Sequence, residues 1–256
     1  NSFEYQQGKD DVIRSQIKSV LEANSSLLNG KKKMRDVIKK SYDLSILNIS
    51  IPANDMVDML RNAEEYKKEN LTIENNDGVR MLFYGLSGTG KTELARYISQ
   101  TLEKPLLLKR CSDLLGSYVG QTEQQIRAAF EEAENINSIL LFDEADSFFA
   151  DRTTANQSWE RTQVNEFLTQ MEEFSGICIC TTNLRQIMDP AMQRRFHITS
   201  EFKALEKSGI QVLLEKYFSN YEFSDSQIRY LASYDSVTPG DFGSLSGKIR
   251  FIPKEK

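Results

Sequence analysis

Apolar residues recur along this chain in two rhythms. Over the first 77 residues the spacing is helical. Val12, Ile13, Ile17, Val20 and Leu21 form one stripe, and Met34, Val37, Ile38 and Tyr42 a second. Met56, Leu60 and Ala63 form a third, after the start signal Asn54-Asp55. At the turn signal Asn75-Asn76-Asp77-Gly78 the rhythm changes. Short apolar runs follow at Val79 to Tyr84, Leu106 to Leu108, Ile139 to Phe142, Ile177 to Thr181 and Ile198 to Phe202, and each reads as a buried strand. Helical patterns lie between them: Leu94, Ile98 and Leu102 within Glu93 to Leu102, then Ile126, Ala129, Phe130 and Ala133 in a helix from Thr122. Thr122 and Gln125 fit a capping box at the start of that helix. Strands alternating with helices predict an α/β fold, a five-stranded parallel sheet with helices on both faces. After about Leu205 the strands stop. Ile210, Leu213, Leu214, Tyr217 and Phe218 predict one helix, Ile228, Leu231 and Tyr234 a second, and Phe242, Leu245, Ile249 and Ile252 a third. The expected division is an N-terminal helical region at 1–77, an α/β core at 78–204 and a small helical subdomain at 205–256.

Composition narrows the class without naming it. With 39% hydrophobic and 27% charged residues among 256, the chain has the balance of a soluble globular protein. A net charge of -5 argues against a dedicated nucleic-acid binder, because no basic excess supplies phosphate affinity. Lys31-Lys32-Lys33 reads as a solvated helix entry before it reads as a phosphate contact. The three cysteines, Cys111, Cys178 and Cys180, lack metal-ligand spacing, and an odd count predicts reduced thiols and hence a cytoplasmic setting. Cys178 and Cys180 alternate within one apolar run and share a strand face. No apolar stretch approaches the length of a membrane span. The chain opens at Asn1 without Met, which suggests a piece of something longer.

The chemistry is concentrated where strands end. Gly85-Leu86-Ser87-Gly88-Thr89-Gly90-Lys91-Thr92 fills the pattern Gly, four residues, Gly-Lys-Thr, between a predicted strand and a predicted helix. In that context the glycines let backbone N–H groups cradle phosphates, and the helix N-terminus adds positive potential. Lys91 would reach the outer phosphates and Thr92 would offer its hydroxyl to Mg²⁺. The cofactor-binding set is Gly85, Ser87, Gly88, Thr89, Gly90, Lys91, Thr92 and Glu93. Ile139 to Phe142 ends in Asp143-Glu144, which places Asp143 beside the metal and Glu144 as the base that polarises water. Acids at a strand end can also cap the next helix.

With Asp143-Glu144-Ala145-Asp146 after the phosphate loop, the sequence resembles the AAA+ ATPases, and within them the AAA clade. The resemblance covers roughly Gly78 to Phe251 and implies an ATP hydrolase with ATP and Mg²⁺ as cofactors. It implies that Asn183, in Thr181-Thr182-Asn183, is the sensor-1 residue that helps hold the attacking water. Asp189-Pro190-Ala191-Met192-Gln193-Arg194-Arg195-Phe196 matches the second region of homology, which makes Arg194 and Arg195 fingers aimed at a neighbouring subunit's nucleotide. Alone, two arginines on a helix read as surface ion-pair residues. Ser117-Tyr118-Val119-Gly120 stands where the family keeps its first pore loop, so Tyr118 and Val119 would grip a polypeptide. The bland alternative is a Tyr packed in its loop. Thr238-Pro239-Gly240-Asp241 is similar to the lid element that contacts the adenine side, through Gly240, and equally to a plain turn and helix cap. A sensor-2 arginine is not evident, Lys248 and Arg250 being weak candidates. Leu86-Ser87 departs from the family's common Pro-Pro, and the lid is short. The resemblance implies a homo-oligomeric ring, six-membered when active, that remodels or threads a protein substrate. A nucleotide-gated scaffold that threads nothing and an AAA+ protein acting on nucleic acid remain as alternatives.

Overall fold

Why the central strands form is plain from their composition. Ile139–Asp143 and Ile177–Thr182 carry large apolar or β-branched side chains at almost every position, and all but Asp143 are buried. Such segments are stable only with neighbours on both sides and cover on both faces. The computed structural model describes residues 43–69, 78–116, 120–149, 158–184 and 190–249. In chain order its elements begin with a 3₁₀ turn at Leu44–Ile46 and α1 (Ala53–Glu69). Then come β1 (Val79–Gly85), α2 (Lys91–Thr101), β2 (Leu106–Arg110), α3 (Cys111–Leu114), α4 (Gln121–Asn135) and β3 (Ile139–Asp143). The core closes with α5 (Asp146–Phe149), α6 (Ser158–Glu173), β4 (Ile177–Thr182), α7 (Pro190–Gln193) and β5 (Ile198–Phe202). Three helices follow: α8 (Lys207–Phe218), α9 (Asp225–Ala232) and α10 (Pro239–Ile249).

All five strands are parallel, in the order β2-β3-β4-β1-β5. Strand alternation sorts the core into two faces. Leu82, Leu140, Phe142, Cys178 and Cys180 pack against Ile126 and Phe130 of α4 and Phe167 and Met171 of α6. Met81, Phe83, Leu141 and Ile179 pack on the other face against Leu94 and Ile98 of α2 and Met56 and Leu60 of α1. Each fully buried Leu, Ile or Phe contributes about 1.5–3 kcal/mol relative to exposure. Helix α1 is therefore part of the α/β layer, although the change of rhythm at residue 78 had separated it from the strands. Just before it, residues 48–50 cover the β5 edge. Ile49 bridges Phe202, Lys203 N–H donates to Asn48 O at 2.9 Å, and Ser50 N–H to Glu201 O at 3.1 Å.

The three C-terminal helices close on their own small core of Ile210, Leu213, Leu214, Phe218, Ile228 and Phe242, joined by Ile46 from the 3₁₀ turn. Tyr217, Tyr234 and Leu245, which the periodicity placed on apolar stripes, are 39%, 45% and 49% exposed. Three short helices enclose too little volume to cover them all. The capping box expected at Thr122 does not form. Helix α4 starts one residue earlier, after Gly120 in the left-handed region (φ 83). Thr122 Oγ1 instead accepts from Gly116 N–H at 3.0 Å, and Gln125 Oε1 is buried without a partner. Among the described residues no helix is long and apolar enough to cross a membrane.

Candidate nucleotide-binding and catalytic site

Parallel strands present all their carboxyl ends at one edge, and the loops leaving β1, β3 and β4 meet there. The loop after β1 depends on three left-handed glycines: Gly85 (φ 124), Gly88 (φ 76) and Gly90 (φ 99). At Gly85 a Cβ would also lie 2.1 Å from Phe202 O, so no other residue fits. Thr89, buried, donates to Leu86 O at 2.7 Å and fixes the loop's curvature, while Ser87 stays exposed. Gly90 is the N-cap of α2, and Glu93 stands in that helix's first turn.

Lys91 opens α2 and is buried. Its Nζ donates to Gly85 O at 2.9 Å, Leu86 O at 2.7 Å and Asn183 Oδ1 at 2.9 Å. Burial pushes its pKa down to about 8, with the charges of Asp146 and Asp143 opposing the shift. To reach a phosphate the ammonium has only to exchange one of these oxygens for another. Thr92 Oγ1 donates to Asp143 Oδ1 at 2.9 Å, so the hydroxyl and carboxylate assigned to a metal stand side by side. Their chemistry, one carboxylate and one hydroxyl, suits a hard cation completed by phosphate oxygens and water. Among the described residues no group of three His, Cys, Asp or Glu side chains could hold a metal unaided.

The ends of β3 and β4 are sewn together by groups that motif reading passed over. Thr181 Oγ1 donates to Asp143 Oδ1 at 2.6 Å and accepts from Glu144 N–H at 3.1 Å, and Ala145 N–H reaches Thr181 O at 2.8 Å. Glu144 is exposed and left-handed (φ 57), a conformation that costs a non-glycine residue about 1–2 kcal/mol. The Thr181 bonds on either side of it hold that turn. Two residues beyond Glu144, Asp146 Oδ1 accepts from the Thr182 hydroxyl and from Asn183 N–H at 2.8 Å. The signal in the sequence was the pair Thr181-Thr182 beside a second acid, but its meaning lies in the strand register.

The structure thus gathers Lys91, Thr92, Asp143, Glu144 and Asn183 at one edge and leaves the arginines elsewhere. Arg194 is exposed, with no ion pair among the described residues. Arg195 pairs with Glu172 of α6, and its carbonyl accepts from Arg80 Nε at 2.8 Å. Nearby, His197 stands just before β5 and binds Arg80. Its Nδ1 lies 3.2 Å from Arg80 N and its Nε2 2.9 Å from the guanidinium. Gly240 meets the phosphate loop directly, its N–H donating to Gly88 O at 2.9 Å. Asp241 caps the same turn, accepting from the Thr238 amide and hydroxyl at 2.8 Å each, so the cap and the lid contact coexist. Ser117, Tyr118, Val119, Asp189 and Arg250 lie outside the described residues; Lys248 is on α10, exposed.

Residues 81–204 match the family described as ATPase family associated with various cellular activities (AAA). They are an AAA ATPase domain. ATP is the nucleotide of such a domain, and its hydrolysis the reaction. The chain is 32% identical over 169 residues to the Cell division cycle protein 48 homolog of Archaeoglobus fulgidus, covering 63% of this chain and 22% of that protein. It is also 32% identical over 198 residues to an AAA family ATPase of Sinorhizobium fredii, covering 76% of this chain and 58% of the relative. Both relatives are much longer than the span they share with this chain. Among solved structures, a chain of the E. coli MS115-1 HORMA:CdnC:Trip13 complex superposes with a TM-score of 0.61 at 18% identity, over 79% of this chain and 82% of that one. That likeness is one of fold.

Proposed function

We propose that this chain hydrolyses Mg-ATP as a subunit of a homo-oligomeric ring and uses the cycle to remodel or thread a protein. The observation that carries the reading is the convergence of Lys91, Thr92, Asp143, Glu144 and Asn183 on one sheet edge. Lys91 supplies charge to the outer phosphates once it leaves the loop carbonyls. A magnesium ion held by Thr92 and Asp143 would neutralise charge on the phosphates. The Glu144 carboxylate, turned outward by its left-handed backbone, takes the proton from the attacking water, and Asn183 holds that water in line.

Support for the ring comes from what a single chain cannot do for itself. Arg194 and Arg195 enter β5 beside Arg80, while the phosphate loop starts at Gly85, about 17 Å further along β1 at about 3.3 Å per residue. An arginine side chain does not span that gap. Arginines so placed are available to another subunit's phosphates rather than to their own, and the ion pair of Arg195 with half-exposed Glu172 is weak enough to exchange for one. Threading by Tyr118 and Val119, and a protein substrate, extend this by the AAA resemblance and the kinship with the Cell division cycle protein 48 homolog.

Lys91→Ala is expected to abolish ATP binding, and Glu144→Gln to keep binding while losing turnover. Specific ATPase activity measured across a wide range of protein concentration should climb steeply. Activity that is flat and measurable at every concentration would refute the ring, and normal turnover in Glu144→Gln would refute the site.

A further inference from the structure

A sensor residue is useful only if something fixes where it stands. Asn183 lies just past the end of β4, whose ladder with β3 ends at the pairing of Phe142 with Cys180. On the other side the ladder with β1 runs on to Tyr84 with Thr182, so Asn183 is the first residue beyond both ladders and has no ladder partner in either. Its side chain nonetheless meets Lys91 Nζ at 2.9 Å. The group that replaces the missing partner is Asp146, whose Oδ1 accepts from both the Asn183 N–H at 2.8 Å and the Thr182 hydroxyl. Thr182 is fully buried, and its hydroxyl oxygen accepts in turn from Leu184 N–H at 3.2 Å. One carboxylate oxygen thus fixes both residues of the turn, and charge-assisted hydrogen bonds of this kind are about twice as strong as neutral ones.

We infer that Asp146 is a positioning residue for hydrolysis: it touches neither nucleotide nor water and acts by holding the Thr182-Asn183 turn so that Asn183 faces Lys91 and Glu144. The inference rests on the proposed assignment of Glu144 and Asn183. Holding the turn requires an acceptor. The charge of Asp146 has a separate effect, opposing the fall of the Lys91 pKa to about 8 on burial, so the variants are compared at a pH well below that value, where Lys91 stays protonated. Both donors point at one oxygen, and a carboxamide oxygen accepts two hydrogen bonds as well. That separates it from a metal ligand or a general base, for which the charge is indispensable. It also gives the Asp-x-x-Asp spacing a physical meaning. Asp143 and Asp146 lie on either side of the Glu144 turn, one tied to Thr181 and the other to Thr182 and Asn183, so the base and the sensor are set by adjacent rungs of one clasp.

The test is steady-state ATP turnover and nucleotide binding of Asp146→Ala, Asp146→Asn, Asn183→Ala and the Asp146→Ala/Asn183→Ala double variant, at a protein concentration where activity has saturated. Asp146→Ala is expected to lower kcat by about 10²-fold, the scale of a misplaced catalytic group, with the dissociation constant for ATP little changed. Asp146→Asn should recover most of the loss. In the Asn183→Ala background Asp146→Ala should add nothing, because groups that act through one another are not additive. The inference is overturned if Asp146→Asn is as impaired as Asp146→Ala, if the two losses multiply, or if ATP binding and melting temperature fall together with kcat. Wild-type turnover in Asn183→Ala also overturns it. It does so alone if Glu144→Gln is inactive, and together with the site assignment if Glu144→Gln turns over normally.

Discussion

Thr181 does more for the site than its place beside a known motif suggests. Buried at the end of β4, its hydroxyl donates to Asp143 and accepts from the Glu144 amide, so one oxygen orders the residue assigned to the metal and the residue assigned as base. Thr181→Val keeps the shape and removes both bonds. It is expected to cost about 1–3 kcal/mol through the unpaired amide and carboxylate, which lowers the melting temperature by about 2–4 °C per kcal/mol in a domain of this size. The left-handed turn at Glu144 then loses its clamp, and turnover should fall further than stability. Thr181→Ser, which restores the hydroxyl, should regain most activity; a thermal melt beside an ATPase assay separates the two effects.

At the scale of elements, α4 and α6 form one face of the core and are tied outside it by Arg127 and Glu166, whose bonds measure 2.5 and 3.0 Å. The hydrogen bond from Arg127 holds the Glu166 carboxyl below the usual carboxylate range. The native state therefore binds that proton less readily than the unfolded chain does, and the contribution is present above the unfolded carboxylate pKa and lost as pH falls through the folded one. Glu166→Gln should be less stable than the parent near neutrality, and the gap should narrow as unfolding is followed to pH values below the unfolded pKa of about 4.3. A second contact joins the lid to the phosphate loop. A Cβ on Gly240 would lie 3.0 Å from Gly88 Cα. Gly240→Val should weaken ATP binding by roughly 5- to 150-fold, the usual range of coupling between sites, in a direct titration, with the helices of the lid still folded by circular dichroism.

These elements also show what a sequence displays and what it conceals. The phosphate loop and the Asp143-Glu144 strand end were readable because chemistry demands fixed residues at fixed short spacing. The parallel sheet was readable because fully buried strands tolerate no polar position. Contacts between residues far apart in the chain left no such trace. Arg80 with His197, Arg195 with Glu172 and Asp146 with Asn183 are 117, 23 and 37 positions apart, and each depends on strand order or helix placement. Helix α4 begins ahead of its capping signal for a local reason: Gly120 takes the left-handed conformation and opens the helix before Thr122 is reached. Helix α1 was set apart because its stripe resembles those before it, and only packing shows that Met56 and Leu60 belong with β1.

For the molecule as a whole, two defective chains ought to repair each other. Lys91→Ala keeps the arginines and is expected to lose the nucleotide; Arg194→Ala/Arg195→Ala is expected to keep the nucleotide and lose the proposed fingers, and arginine fingers measured elsewhere supply about 10³–10⁵ in rate. Each should be nearly inactive alone, and mixing them at equal concentration should restore a fraction of the parent's ATPase activity. A mixture as inactive as its parts would place the arginines outside the reaction. The contact between Gly240 and Gly88 bears on how such an assembly evolves. It is made main chain to main chain, an amide to a carbonyl, so any tilt of the Gly88 peptide toward an arriving phosphate is felt by the lid with no side chain as messenger. What selection must keep at this contact is the absence of a side chain at both Gly88 and Gly240. The helices beyond it are free to diverge until their ancestry is unrecognisable, and the two halves of the machine would still hear each other.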